Sequence, residues 1–370
     1  PRPLLETLEM LGPRFEERAA SHDREGRFVA DNYRDLKEQR LFSCAVPRAL
    51  GGGGIGHREL CHVLRELARS CASTALALSM HSHLVATAVW RHRHGLPGEA
   101  LLRKVAQAEL VLVSTGAGDW VDSVGHAERV SGGYRVSGVK RFCSGSPLGD
   151  LLITSAPVEQ GEGGPEVIHF PVPLRSEGVE LKQDWDTLGM RGTGSHSIEL
   201  NQVFVADDAI VLRRPRGQWH GSWNVIVTIA APIYMAPYIG IAERAAVMAR
   251  AAAARRKVDE STLLLLGELD NSLTLAQLAW RDMLEIANDY DVEPTLDHAN
   301  RTLIRKTLAA NAARETVAKA VEVTGGAAFY CSLGLERLWR DVQGAAFHPL
   351  PEKKQLAFSG RVTLGMSPVG

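Results

Sequence analysis

Residues 184–208 read DWDTLGMRGTGSHSIELNQVFVADD, and this stretch decides how the rest of the chain is parsed. It opens on Trp185 and a turn rich in Gly and Thr. It then alternates, Ile198, Leu200, Val203, Phe204 and Val205 being interleaved with polar residues, which is the pattern of a half-buried strand. Helical sequence flanks it on both sides, so a β segment sits in the middle of a mostly α chain. The turn is expected to expose Arg191, Thr193 and Ser195 beside the strand, where small polar groups can hold a flat, hydrogen-bonding ligand.

Working outward, residues 1–108 read as helices. Leu4, Leu5, Leu8 and Leu11 recur at helical spacing, Tyr33, Leu36 and Leu41 mark a second helix, and 57–80 and 82–105 continue the pattern. Gly51, Gly53 and Gly56 spell a formal GxGxxG, but no βαβ unit surrounds it, so it reads as a glycine turn between helices. From Leu110 short alternating runs replace the helical period, and AERVS–GG–YRVSG is a hairpin signal. This β block covers 109–213, and RRPRGQWHGSW after it looks like a linker. Residues 214–370 are helical again, with long segments expected over 232–257, 263–290 and 298–323. The fold class is therefore α+β, in the order helices, sheet, helices.

Composition narrows the function classes. A length of 370 residues exceeds one ordinary core, so sub-domains are expected. A formal net charge of -1 makes no case for nucleic acid or an anionic membrane surface. No uninterrupted apolar run reaches the roughly 18 residues of a membrane span. The opening PRPLLETLEMLGPRFEERAA carries acids rather than a basic-then-apolar signal. Five scattered cysteines without a CxxC suit a reducing compartment, and a cytoplasmic location is expected. His81/His83 and His92/His94 look like metal pairs, but further ligands at a recognisable spacing are lacking, so no metal is expected. GxSxG, HExxH and P-loop motifs are missing as well.

The motif run VSTGAGD (113–119), GGYRVSGVKRFCSGSPLGDLLI (132–153), LGMRGTGSHSIELNQVFV (188–205), GGAAFY (325–330) and LERLWRD (335–341) resembles the acyl-CoA dehydrogenase superfamily over nearly the whole chain. The resemblance implies an N-terminal helical domain (1–108), a central β-barrel-like domain (109–213) and a C-terminal four-helix bundle (214–370), assembled as a homotetramer. It also implies a flavin between the β domain and the bundle. Ser114 and Thr115 would stand by the pyrimidine edge, Phe142 in the family's Trp position over the ring, and Ser144 near N5, with Ser195 a further candidate contact. A flavin needs donors at its carbonyls, a partner at N5 and an aromatic wall, which agrees with these residue types.

The departures matter as much. A dehydrogenase needs a carboxylate to take the α-proton. The usual family position, eight residues beyond Asp341, is Pro349, and the alternative, ten before Gly240, is Ala230. Glu352 is the reserve candidate, although PLPEKK reads as a solvated loop. Glu322 replaces the family's Gln before Gly325–Gly326, and its charge would repel a pyrophosphate. FMN suits these losses, with FAD the alternative.

Both changes resemble the flavin-dependent monooxygenase branch. That branch takes reduced flavin from a separate NAD(P)H:flavin reductase and oxygenates a small molecule through a C4a-(hydro)peroxyflavin. His348 would then be the catalytic acid/base or hydrogen-bond donor, alongside Ser144. Trp219, Trp223, His220 and Tyr234 cluster at the bundle entry, and Trp223 and Tyr234 are candidates for the substrate pocket. The other readings are an FAD-dependent acyl-CoA dehydrogenase using Glu352 and a redox-silent binding member of the fold.

Overall fold

A computed structural model describes residues 4–161 and 164–370. The helices α1 (Leu4–Glu25), α2 (Ala30–Glu38), α3 (His57–Ser70), α4 (Ala72–Arg93) and α5 (Glu99–Ala108) come first. The two helices expected over 57–105 are thus three. Cys71 is extended, with φ -149° and ψ 102°, and breaks the first; the HGLPG segment with Gly95, Pro97 and Gly98 breaks the second. The glycine run lies between α2 and α3, where the backbone packs on itself: a Cβ on Gly52 would meet the Val46 carbonyl at 2.3 Å. Close approach, not ligand binding, is what those glycines provide.

The strands are β1 (Leu112–Val113), β2 (His126–Val130), β3 (Gly133–Lys140), β4 (Leu151–Gly161), β5 (Gly164–Pro173), β6 (Val179–Leu181), β7 (Ile198–Ala206) and β8 (Leu212–Pro215). The expected hairpin is β2–β3, antiparallel, with Val130 opposite Gly133. The strands form two four-stranded sheets, β1-β4-β5-β8 and β2-β3-β7-β6. Val136, Leu152, Phe170, Ile198, Leu200 and Val205 fill the core between them. Among the described residues neither sheet closes, so the barrel-like expectation gives way to two open sheets. Their edges are short strands, one ending in Pro215, which offers no N–H to continue a ladder. The RRP read as linker is part of β8. Arg214 there is buried, its guanidinium over the Trp223 ring at 5.2 Å.

The C-terminal helices are α6 (Gly221–Ala254), α7 (Glu260–Ala287), α8 (Leu296–Thr324), α9 (Leu335–Val342) and α10 (Glu352–Thr363). α6 begins well before Pro232 and contains Pro232 and Pro237. It is long and apolar enough by length and composition to cross a membrane, with mean hydropathy 1.8, contrary to the sequence reading. However, 89% of that window is buried inside the protein. α6 is the axis of the helical body. α3 and α4 cover one side of it and α7 and α8 the other, within one shared apolar core. Trp280 is wholly buried there and its Nε1 donates to the Pro232 carbonyl at 2.9 Å.

Two joints hold the β sheets to this helical body. The Met190 amide donates to Asp341 Oδ1 at 2.5 Å. Arg340 pairs with Asp23 at 2.6 Å and also donates to the Leu188 carbonyl at 3.1 Å. Burial raises the Asp341 pKa from 3.8 to about 6, with the Met190 N–H opposing.

Two outcomes follow. A Cβ on Gly240 would meet the Arg65 carbonyl at 2.1 Å. Gly240→Ala should therefore lower unfolding stability by about 1–3 kcal/mol in denaturant titration. For Asp341, a raised folded-state pKa means stability that is full below about pH 4 and lost as pH rises through about 6. Asp341→Asn keeps an acceptor for the Met190 amide but has no proton to lose. The difference in stability between the two proteins should change across that window, by on the order of 3 kcal/mol at most, in favour of the Asn variant at higher pH. A pH-independent difference would show that Asp341 titrates normally.

Candidate functional site

A cavity of about 710 Å³ lies between the β sheets and the helical body, within the range of small-molecule and cofactor sites. Its β-side wall is made by the ends of strands. Ser114 and Thr115 follow β1, and Gly116 donates its amide to the Arg141 carbonyl at 2.9 Å. Phe142, just beyond β3, is held at φ 58° and is 55% exposed, with its ring edge-to-face on Trp185 at 5.9 Å. A Cβ on Gly116 would approach that ring to 3.0 Å, so Gly116 makes room for it. A non-glycine residue at positive φ beside a cavity is a strained backbone maintained by its surroundings.

The 188–195 turn supplies the adjoining surface. It does not expose its polar residues as expected: Thr193 and Ser195 are buried, and Arg191 is fastened to the Asp23 and Thr187 carbonyls, each at 2.9 Å. Ser144 Oγ and Ser195 Oγ lie 2.7 Å apart, and Ser195 Oγ and Thr193 Oγ1 also 2.7 Å apart.

The helical wall presents Leu76, Met80 and His83 from α4, and Ile226, Ala230, Tyr234 and Tyr238 at four-residue spacing from α6. Gly344, Phe347, His348 and Pro349 close it. His348 is half-buried and stacked on Tyr234 at 4.9 Å, and its Nε2 shares a 2.7 Å hydrogen bond with the Tyr238 hydroxyl. Burial lowers its pKa to about 3, with Lys306 and His83 adding to the effect, so the imidazole is neutral at ordinary pH. Behind it the buried Lys306 ammonium donates to the His348 and Leu350 carbonyls at 2.8 and 3.1 Å. The Tyr234 hydroxyl donates to the Pro349 carbonyl at 3.0 Å. The 348–350 segment is therefore clamped, not loose.

Ser114, Thr115, Phe142, Ser144, Ser195, Tyr234 and His348 thus all line one cavity. Two other expectations are corrected. Trp223 is not among the lining residues; it stacks on Trp120 at 5.0 Å, and it is Trp120 that faces the cavity. Glu352 begins α10 with its carboxylate on Asn311 at 3.4 Å, outside the cavity. A helix start, not a loop, explains its exposure.

His83, Trp120 and Trp185 were missed as wall residues. His83 looked like half of a metal pair, but residues two apart on a helix diverge. His81 Nδ1 accepts from the Leu112 amide at 2.9 Å, and its Nε2 donates to the Phe42 carbonyl at 2.8 Å. The only hint of His83's direction was its spacing from Leu76 and Met80. Among the described residues no group of three or more His, Cys, Asp or Glu could hold a metal.

Both dehydrogenase base positions, Pro349 and Ala230, face this cavity. The one carboxylate among the lining residues is Asp119, and it is spent inside the wall. Its Oδ1 pairs with buried Lys140 at 2.8 Å and accepts from the Val124 amide at 3.0 Å. Apart from Arg141 and Gln343, the donor set is hydroxyls plus neutral His and Tyr, beside a flat aromatic edge. These residues fit a flavin ring: polar groups along one rim, an aromatic wall, and a cavity of sufficient volume.

Comparison with known proteins agrees with this layout. Residues 9–109 match the acyl-CoA dehydrogenase N-terminal domain family, and residues 233–351 match the acyl-CoA dehydrogenase C-terminal domain family. A putative acyl-CoA dehydrogenase, YdbM, of Bacillus subtilis (strain 168) is 27% identical over 94% of this chain and 93% of its own length. The dibenzothiophene monooxygenase of Mycolicibacterium goodii is 26% identical over 97% of this chain and 93% of its own. The X-ray structure of KijD3 in complex with FMN and a dTDP-linked amino keto sugar superposes with a TM-score of 0.89. It has 27% identity and covers 98% of this chain and 93% of that one. With both family domains placed at the two ends of the chain and the fold shared throughout, the chain belongs to the acyl-CoA dehydrogenase superfamily and resembles its flavin-dependent monooxygenase branch.

Proposed function

We propose that this protein is a reduced-FMN-dependent monooxygenase acting on a small, uncharged, flat substrate. One observation carries the reading: the two positions where a dehydrogenase keeps its base face the cavity as Pro349 and Ala230, and the single lining carboxylate is neutralised by Lys140. No carboxylate there is free to remove an α-proton, so α,β-dehydrogenation lacks the base it uses. Reduced FMN, when bound, supplies the electron pair that activates O2. The chain's own residues do the rest. Phe142 and Trp185 shield the ring, Ser114, Thr115, Ser144 and Ser195 orient it, and Leu76, Met80, Trp120 and Ile226 form an apolar pocket that excludes water. Neutral His348, fixed by Tyr234 and Tyr238, offers its ring as a hydrogen-bonding partner at a set position in the cavity.

FMN rather than FAD is supported by Glu322, which is exposed and shares Lys319 with Glu268, so that this patch keeps a net negative charge that would repel a pyrophosphate. Arg141 at the cavity mouth has no acidic partner among the described residues and suits a terminal phosphate. Reduced FMN would come from a separate NAD(P)H:flavin reductase. A reducing, cytoplasmic setting is supported by five free cysteines. Homotetrameric assembly is supported by exposed Leu263, Leu264, Leu275 and Leu278 on α7.

The test supplies the purified protein with FMN, an NADH-driven reductase, O2 and flat heteroaromatic probes such as indole or dibenzothiophene. Products should carry one oxygen atom derived from O2, and His348→Ala should lower the rate at least ~100-fold. Anaerobic bleaching of the oxidised holoprotein by an acyl-CoA would sink the reading in favour of a dehydrogenase. For the phosphate contact, Arg141→Ala should weaken FMN binding about tenfold and leave riboflavin binding unchanged, read by fluorescence titration.

A further inference from the structure

The three hydroxyls under the cavity wall form a chain with a direction. Thr193 Oγ1 lies 2.9 Å from the Met190 carbonyl, 2.7 Å from Ser195 Oγ, and Ser195 Oγ lies 2.7 Å from Ser144 Oγ. Each hydroxyl has one proton to give and two lone pairs. A carbonyl oxygen only accepts, so the Thr193 hydroxyl donates to Met190 in this contact, as a third donor beside the Thr193 amide and Trp185 Nε1; turned the other way, two oxygens would face each other at 2.9 Å with no hydrogen between them. Thr193 is then an acceptor for Ser195, and Ser195 an acceptor for Ser144. The Ser144 proton is consumed inside the wall. What Ser144 offers the cavity is lone pairs.

We infer that this chain makes the site select the redox state of its flavin, favouring the reduced form. The inference rests on the flavin reading above, with Ser144 against the ring edge at N5. In the reduced ring N5 carries a hydrogen and donates to Ser144. In the oxidised ring N5 is itself a lone pair, and it meets an acceptor. Both states fill the same space, so the discrimination comes from one proton's direction, set by a carbonyl two hydroxyls away. Burial strengthens it: Thr193, Ser195 and Ser144 are shielded from water that would otherwise reorient them. The Met190 carbonyl is itself held, accepting also from the Thr193 amide at 3.1 Å and Trp185 Nε1 at 3.1 Å. An oxygenase that receives reduced flavin from a reductase and sheds oxidised flavin after turnover has use for such a bias. Thr193 is a positioning residue here, since it acts through Ser195 and Ser144.

The experiment measures dissociation constants for reduced FMN, anaerobically, and for oxidised FMN. The proteins compared are the wild type, Thr193→Val and Thr193→Ser. The wild type should bind the reduced form more tightly. Thr193→Val removes the proton's anchor at unchanged shape, lets Ser195 and Ser144 turn outward, and should lower the oxidised-to-reduced ratio of dissociation constants about fivefold, chiefly by tightening the oxidised complex. Thr193→Ser keeps a hydroxyl and should keep the wild-type ratio. If Thr193→Val fails to fold, Ser195→Ala severs the same chain and should give the same drop. An unchanged ratio in a folded severed variant, with FMN bound, overturns this inference alone. Failure of the wild type to bind FMN in either state overturns the flavin reading as well.

Discussion

A single buried hydrogen bond, from the Met190 amide to the Asp341 carboxylate, is the joint on which the rest of this molecule depends. It ties the turn leaving the β sheets to the end of α9, across 151 residues of sequence. Arg340, one residue before, crosses to Asp23 at the end of α1, and Arg191 reaches the Asp23 carbonyl from the turn itself. Three parts of the chain that share no local pattern meet within a few ångströms. The cavity exists because this meeting is rigid: the turn forms one wall and the segment after α9 another. Placing an ionisable group at such a joint costs stability when it is charged, and the raised Asp341 pKa is the measure of that cost.

The cavity's second organising property is that charge is cancelled within its walls and, among the described residues, left unpaired only at the mouth, on Arg141. Asp119 and Lys140 cancel inside the wall, Arg340 is occupied by Asp23 and Glu336, and Lys306 spends its donors on backbone carbonyls behind His348. What remains facing inward is hydroxyl, phenol and neutral imidazole. In surroundings with few charges and little water, individual hydrogen bonds discriminate more than they would in solvent. A site of this kind orients a ligand by where its protons are. That suits redox chemistry on a polar ring next to an apolar substrate, and it is the opposite of the free carboxylate that a dehydrogenase requires.

Much of this was legible in the text of the chain. The 188–205 motif, the β2–β3 hairpin and the helix–sheet–helix order come from short-range patterns, because turn chemistry and side-chain periodicity act over a few residues. Ser114, Thr115, Phe142, Ser144, Ser195 and His348 follow from the resemblance and Tyr234 from the aromatic cluster at the bundle entry, and all seven line one cavity. The misreadings have physical causes. The expected start of α6 at Pro232 gives way to Gly221, because burial between four helices outweighs the cost of a proline within it. RRP looked like a linker because charged residues usually sit in solvent, whereas Arg214 is satisfied by the Val121 carbonyl at 2.6 Å and His169 at 2.9 Å.

By itself, then, the sequence determined the order of elements, the superfamily and the loss of carboxylates at Pro349 and Ala230, since each is written in residues close together or at fixed spacing. The tertiary structure alone decided which way side chains point. It turned His83 inward and His81 away, put Trp120 on the wall in front of Trp223, and set Ser144 against Ser195 across 51 residues and Tyr238 against His348 across 110. Those pairings depend on how separate elements pack. The contacts among Met190, Thr193 and Ser195 lie within one turn, but the 2.7 Å step from Ser195 to Ser144 depends on packing that no local pattern encodes.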